Sequence, residues 1–149
     1  MQWSAAANAG FSRAAGDDLP VKPVASGRFR YQRINVETAL RHPRSLLHRV
    51  RNMVLARTEY TEPGSIPFTL ITVKPAAVLG LCYRSESREV LMLANCSQQA
   101  VEVLLPPLAE GYWSPILEDK LYQDGLHGGK DARLALSGYG YRWFSRSLS

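Results

Sequence analysis

From residue 66 onward the sequence breaks into short runs of branched and aromatic residues, each closed by a turn signal. The runs are 68–73, 78–84, 89–95, 100–105, 112–117 and 133–144, punctuated by Pro75, Pro106-Pro107 and the glycines between 125 and 129. Segments this short, at this spacing, predict strands of an antiparallel β-sandwich rather than helices. The 78–95 stretch narrows the choice further. With Ser85–Arg88 as its turn, Leu79, Leu81 and Tyr83 fall on one face with Val90, Met92 and Ala94. Val78 and Cys82 share the opposite face with Leu91 and Leu93. A sheet with one wet face alternates apolar and polar residues. An apolar pattern on both faces therefore predicts cover on both sides.

The chain before this region reads differently. Residues 1–33 hold no sustained period, and turn material recurs at Ala15–Asp18 and Ser26-Gly27. They predict a long loop, which in a compact domain calls for a function or a partner. Asn35 is placed to cap a short helix over 36–40. Pro43 suits the first turn of a second helix, running to about Arg57, with Pro63-Gly64 as a later stop. In that helix Leu46, Leu47, Val50, Met53 and Val54 form one apolar stripe of period 3.6. Charge divides at the same place. Residues 1–65 contain ten Lys+Arg against five Asp+Glu, whereas residues 66–149 contain eight of each. Two units are expected: a loop-and-helix segment, 1–65, and a β-sandwich, 66–149.

Composition limits the classes of function. Hydrophobic residues make up 46% and charged residues 21%, which supports a packed core. No apolar run reaches the ~20 residues of a membrane span, and the first residues lack a signal-peptide pattern, so a cytoplasmic location is expected. Cys82 and Cys96 have no metal-binding spacing and are expected to lie apart as free thiols. His42, His48 and His127 mark no metal set, His127–Lys130 lacks the full phosphate-loop spacing, and no cofactor pattern is present. The pairs Asp17-Asp18 and Glu118-Asp119 are weak candidates for glycosidase carboxylates. One lies in a loop and the other places neighbours on opposite faces of a strand. Arg41, Arg44, Arg49, Arg51 and Arg57 could contact phosphates, but they spread around several helix faces and no nucleic-acid motif accompanies them.

A specific string runs through the first third: Met1-Gln2-Trp3-Ser4, Asn8–Ser12, Leu19-Pro20-Val21, Tyr31-Gln32, Ile34–Glu37, Pro43, Ser45–Leu47, Arg51 and Arg57. Gly138–Phe144 closes the chain in the same style. These residues resemble the C-terminal part of glycoside hydrolase family thirteen, the α-amylase superfamily. Within it they are most similar to the trehalose synthase branch, then to oligo-1,6-glucosidases and α-glucosidases. The resemblance implies that residues 1–57 are the last loop and helix of a (β/α)8 barrel and that the rest is the C-terminal sandwich. It also implies that the catalytic carboxylates lie upstream, so no residue of this chain is expected to be catalytic. By the same resemblance Gln2, Trp3, Asn8 and Phe11 lie on the barrel rim near substrate, with loop scaffolding as the favoured role and shaping of the sugar pocket as the other. For Trp113 and Trp143 sandwich-core or interdomain packing is the favoured expectation, and stacking on maltose or a maltooligosaccharide, as in a stand-alone carbohydrate-binding module, is the alternative. The expected partner is an upstream catalytic barrel or a second copy that covers the helix stripe.

Overall fold

The computed structural model describes residues 1–62, 64 and 68–148, without the side chain of Asp17. Pro63 and the expected boundary at 65/66 lie outside the described residues. The chain forms two compact units, Met1–Met53 and Val54–Ser149.

In the first unit, residues 1–35 run without long regular elements to α1, Val36–Arg41. Asn35 caps this helix as expected: its Oδ1 accepts from the Thr38 N–H at 2.8 Å, and its Nδ2 donates to Tyr31 O at 2.8 Å. Two further N–H groups of the first turn find carbonyls upstream. Val36 donates to Gln2 O and Glu37 to Trp3 O, both at 2.9 Å. The donors that every helix start leaves unpaired are thus used to hold the beginning of the chain. The second helix, α2, spans Leu46–Tyr60. It starts later than the proline predicts, because Ser45 takes the capping position; its Oγ accepts from His48 N–H at 3.4 Å and donates to Ala39 O at 2.8 Å. Pro43 stands in the turn before it.

The boundary between the units falls inside α2. Among the described residues the second unit holds eight strands: β1 Thr69–Ile71, β2 Val78–Arg84, β3 Arg88–Asn95, β4 Val101–Leu104, β5 Tyr112–Glu118, β6 Leu126–His127, β7 Arg133–Leu136 and β8 Tyr141–Ser147. They form a six-stranded sheet, in the order β1-β2-β3-β8-β5-β6, and a two-stranded sheet of β4 and β7. All recorded pairings are antiparallel. The β2–β3 hairpin has the expected register, with Cys82 opposite Leu91 and Tyr83 opposite Val90. Its turn is closed by Ser85 N–H donating to Arg88 O at 2.9 Å. Cys96 lies beside Ala77, its N–H on Ala77 O, and both thiols are free.

Both faces of the large sheet are covered, each by its own cluster. Val78, Leu91, Leu93, Trp113, Leu126 and Phe144 meet Val103, Leu134 and Leu136 of the small sheet in the sandwich interior. Each fully buried aliphatic or aromatic side chain here contributes about 1.5–3 kcal/mol. On the outer face Tyr83, Val90 and Met92 pack with Tyr60, Phe68, Leu81, Ile116 and Trp143. Tyr60 ends α2, so the last turn of that helix is part of the second cover. The Tyr83 hydroxyl accepts from Glu62 N–H at 3.0 Å, and Arg88 reaches Glu59 O at 3.4 Å.

The expected single strand over 133–144 is two. β7 and β8 belong to different sheets, and residues 137–140 turn the chain between them. This turn needs its glycines. A Cβ on Gly138 would sit 1.9 Å from Gln98 O, and one on Gly140 would sit 2.3 Å from Ser137 Oγ. Tyr139 between them has φ 54° and is exposed, so it leaves the face that Tyr141 and Trp143 share.

Candidate functional site

The N-terminal loop is organised by a left-handed turn. Asn8, Ala9 and Gly10 have φ of 55°, 55° and 75° in succession. Left-handed backbone costs an alanine roughly 1–2 kcal/mol, so other contacts must hold Ala9 there. Its carbonyl accepts from Trp3 N–H at 2.9 Å and Ser4 N–H at 3.1 Å. Asn8 Nδ2 donates to Ala14 O at 2.8 Å and Ser12 O at 3.2 Å. At Gly10 a Cβ would come within 2.7 Å of Ser4 Oγ. Strain of this kind concentrates where a loop must hold one shape.

The four residues expected near substrate divide into two pairs. Gln2 and Asn8 are half-buried and bind backbone. Gln2 Nε2 donates to Ile34 O at 2.6 Å and Phe29 O at 3.3 Å, while its Oε1 is buried without a hydrogen-bond partner. Trp3 and Phe11, by contrast, are about half exposed, at 48% and 53%. The polar pair shapes the loop, and the aromatic pair is presented by it. Beside Gln2 opens a groove of about 560 Å³, lined by Met1, Ile34, Val36, Ala39, Leu46 and Val50 among others. Leu46 is 76% exposed, so the α2 stripe is open to solvent within this unit.

The tryptophans of the second unit sit elsewhere. Trp113 is 1% exposed, its Nε1–H donates to Ala109 O at 3.2 Å, and its ring belongs to the sandwich interior. Its place in the core cluster is the packing role expected for the aromatics of this unit. Trp143 is partly buried in the outer cluster.

The carboxylates at the end of β5 are bound up in structure. Arg142, buried on β8, donates from Nε to Glu118 Oε1 at 2.7 Å and from Nη1 to Asp124 Oδ2 at 2.9 Å. Asp119 accepts from Ser137 Oγ at 2.7 Å, Tyr122 Oη at 2.8 Å and Tyr141 N–H at 3.0 Å. Partial burial pushes the Asp119 carboxyl up, but the three hydrogen bonds outweigh it and hold the group below the usual carboxylate range. Asp124 is also held low, burial again opposed by the hydrogen bond and charge of Arg142. Burial pushes the Tyr122 hydroxyl up, aided by its hydrogen bond to Asp119 and the charge of that carboxylate, against the opposing hydrogen bonds with Ser137. These groups fix the β5–β6 connection to β8. Sequence reasoning missed this network, although the run Glu118-Asp119 followed by Asp124, with Arg142 between the aromatics Tyr141 and Trp143, carried the signal.

Among the described residues no group of His, Cys, Asp and Glu is arranged to hold a metal ion. His48 Nε2 lies 3.0 Å from Leu40 O, and the His127 ring packs tilted against Tyr112 with centroids 5.3 Å apart. Among the same residues no helix is long and apolar enough to cross a membrane.

No family model matches the chain. Curated relatives do. A trehalose synthase of Thermus thermophilus is 34% identical over 107 residues, 71% of this chain and 11% of that protein. The trehalose synthase/amylase of Mycolicibacterium smegmatis is 29% identical along 97% of this chain, which spans 26% of its length. Among solved structures, the Bacillus licheniformis trehalose-6-phosphate hydrolase matches 99% of the chain with TM-score 0.74 at 20% identity, over 25% of that protein. The trehalulose synthase of Pseudomonas mesoacidophila matches 97% with TM-score 0.70 at 21% identity, over 24% of its length. The structural matches show the fold.

Proposed function

We propose, from the premise that this chain belongs with the trehalose synthases of glycoside hydrolase family thirteen as a C-terminal segment of a larger enzyme, that it is the non-catalytic portion of a maltose- or α-glucan-active enzyme. The parent reaction is maltose–trehalose interconversion or α-glucoside hydrolysis. Both proceed by a retaining double displacement, for which two carboxyl groups stand about 5–5.5 Å apart across the scissile bond. The observation that carries the reading is the match to the Mycolicibacterium smegmatis enzyme, which runs along 97% of this chain but takes up 26% of that protein. The engagement of Glu118, Asp119 and Asp124 with Arg142, Ser137 and Tyr122 agrees with it.

In this reading residues 1–65 correspond to the last βα unit of a (β/α)8 barrel, and residues 66–149 to the C-terminal sandwich. The loop of Gln2, Trp3, Asn8 and Phe11 stands on the barrel rim near substrate, where enzymes of this fold place their active-site loops. Trp3 and Phe11 offer apolar faces to a sugar ring, and Gln2 and Asn8 fix their positions. A cytoplasmic setting goes with the reading and is supported by two unbridged cysteines.

The test is a chimera in which this chain replaces the matched segment of the Mycolicibacterium smegmatis enzyme. The chain by itself is expected to leave maltose unchanged, and the chimera to convert it. Turnover by the isolated chain, or a folded chimera without activity, would contradict the proposal.

A further inference from the structure

Resting on the proposed function, we infer that Tyr139, with Gln98 and Gln99 beside it, forms a binding site for an α-glucan chain at one end of the sandwich, the Tyr139 ring being the stacking face.

Three observations carry this. The first is a cost with no return inside the fold. Tyr139 has φ 54° and is 64% exposed. Left-handed backbone is an outlier for a bulky residue, whereas glycine adopts it freely. The turn already places glycine on both sides, at 138 and 140. A tyrosine between them strains the backbone and gains little burial in exchange. Strain at an exposed side chain argues for a role outside the fold.

The second is rigidity. Tyr139 N–H donates to Ser97 O at 2.8 Å, and Gly140 N–H to Ser137 O at 2.9 Å. Buried Asn95 ties the two turns together. Its Nδ2 donates to Ser137 O at 2.9 Å and to Gln99 O at 2.7 Å, and its Oδ1 accepts from Ser97 N–H at 3.0 Å. Asp119 holds the 137–140 turn as well, accepting from Ser137 Oγ and Tyr141 N–H. Residues 96–99 and 137–140 thus form one fixed platform. A ring already held in place loses little freedom when a ligand covers it.

The third is the chemistry beside the ring. The Gln98 backbone lies against Gly138, and Gln98 and Gln99 are both exposed. A side-chain amide donates and accepts at once, which suits the neighbouring hydroxyls of a glucose unit, while the C–H face of the sugar covers an aromatic ring. One ring among amides lacks the apolar centre of a protein interface. The platform also stands clear of α2. That helix meets the sheet at the first residue of β3, where Arg88 reaches Glu59 O, whereas Asn95 at the other end donates to Gly140 O. The length of β3, about 20 Å, separates the two.

The experiment titrates maltoheptaose into the full chain and follows the assigned backbone amides by NMR. The amides of Gln98, Gln99, Gly138, Tyr139 and Gly140 are expected to shift with a Kd on the order of 1 mM. Tyr139→Gly should weaken that binding at least tenfold and leave the melting temperature unchanged or a few degrees higher, because glycine relieves the left-handed strain. Tyr139→Asn, which the left-handed region also tolerates, should weaken binding equally. Trp3→Ala should leave the shifts in place. An absence of shifts at saturating maltoheptaose, with the chimera described above active, overturns the site and leaves the functional proposal standing. A folded, inactive chimera with the shifts intact overturns the functional proposal and leaves the site, and one without shifts overturns both. Shifts lost in Trp3→Ala but kept in Tyr139→Gly move the binding to the N-terminal loop and overturn the inference. A Tyr139→Gly chain that melts several degrees lower gives the ring a structural role and does the same. Shifts at these amides that follow protein concentration without maltoheptaose assign the surface to a second copy and also overturn it.

Discussion

The guanidinium of Arg142 and the carboxylate of Glu118 meet at 2.7 Å across the β5–β8 pairing, on the face of the large sheet that Leu93 and Phe144 share. Arg142 is 1% exposed and carries more than one ion pair, since Asp124 receives both a side-chain and a backbone contact from it. Its Cζ lies 4.2 Å from the centre of the Tyr122 ring and 5.0 Å from that of Phe144. A buried charge with partners on two segments makes the 119–125 connection dependent on one residue. Arg142→Ala strands two carboxylates, one of them largely shielded, and is expected to destabilise the fold by about 3–5 kcal/mol. Urea unfolding followed by tryptophan fluorescence measures it. A loss below 1 kcal/mol would show that the network contributes nothing to the folded state.

Acid should unfold this unit through the same network. Asp119 and Asp124 both have folded-state pKa values below the unfolded ones. A depressed carboxylate adds stability that is present above its unfolded value, about 4, and is lost as pH falls through the lower folded value. Stability is therefore expected to drop with decreasing pH below about 4. Asp119→Asn should flatten that dependence while lowering stability at neutral pH. A pH series of denaturant melts on both proteins compares the slopes, and equal slopes would remove Asp119 from the explanation.

At the left-handed turn the prediction concerns Ala9. Glycine there relieves roughly 1–2 kcal/mol of backbone strain and gives back roughly 0.8 kcal/mol for the buried methyl. Ala9→Gly should therefore change stability by less than about 1 kcal/mol. Ala9→Val adds volume at a fully buried site and a β-branch at φ 55°, and should be several-fold worse than glycine. Thermal melts of the two variants settle the order.

Strand identity was legible in the sequence wherever a strand is buried on both faces or ends at a proline. The β2–β3 hairpin, its register and the separation of the two thiols all follow from alternation around Ser85–Arg88. The division of 133–144 was not legible, because the turn at 137–140 depends on close approach to Gln98 and Ser137, which are far away in sequence or fixed by Asp119. The two-residue β6 was equally invisible, since its pairing with Tyr112 and Trp113 has no local pattern. In the first unit the Asn35 cap could be read from residue type. The role of Gln2 could not, because its partners Phe29 and Ile34 lie about thirty residues on.

The contrast between Trp3 and Trp113 makes the last prediction. Each is followed by a serine, but Trp3 is 48% exposed on a strained loop and Trp113 is 1% exposed in the core. Trp113→Ala removes a fully buried ring and should cost about 3–5 kcal/mol of stability, with no effect on sugar handling separable from unfolding. Trp3→Ala removes a ring that packs little, so the free chain should lose less than about 1 kcal/mol, as at exposed positions generally. In the active chimera Trp3→Ala should raise KM for maltose several-fold while the melting temperature stays within a few degrees. Melts and maltose kinetics on the same preparations separate the two behaviours. A Trp3→Ala chimera with unchanged KM and kcat would take the loop away from the substrate and leave it a scaffold for α1.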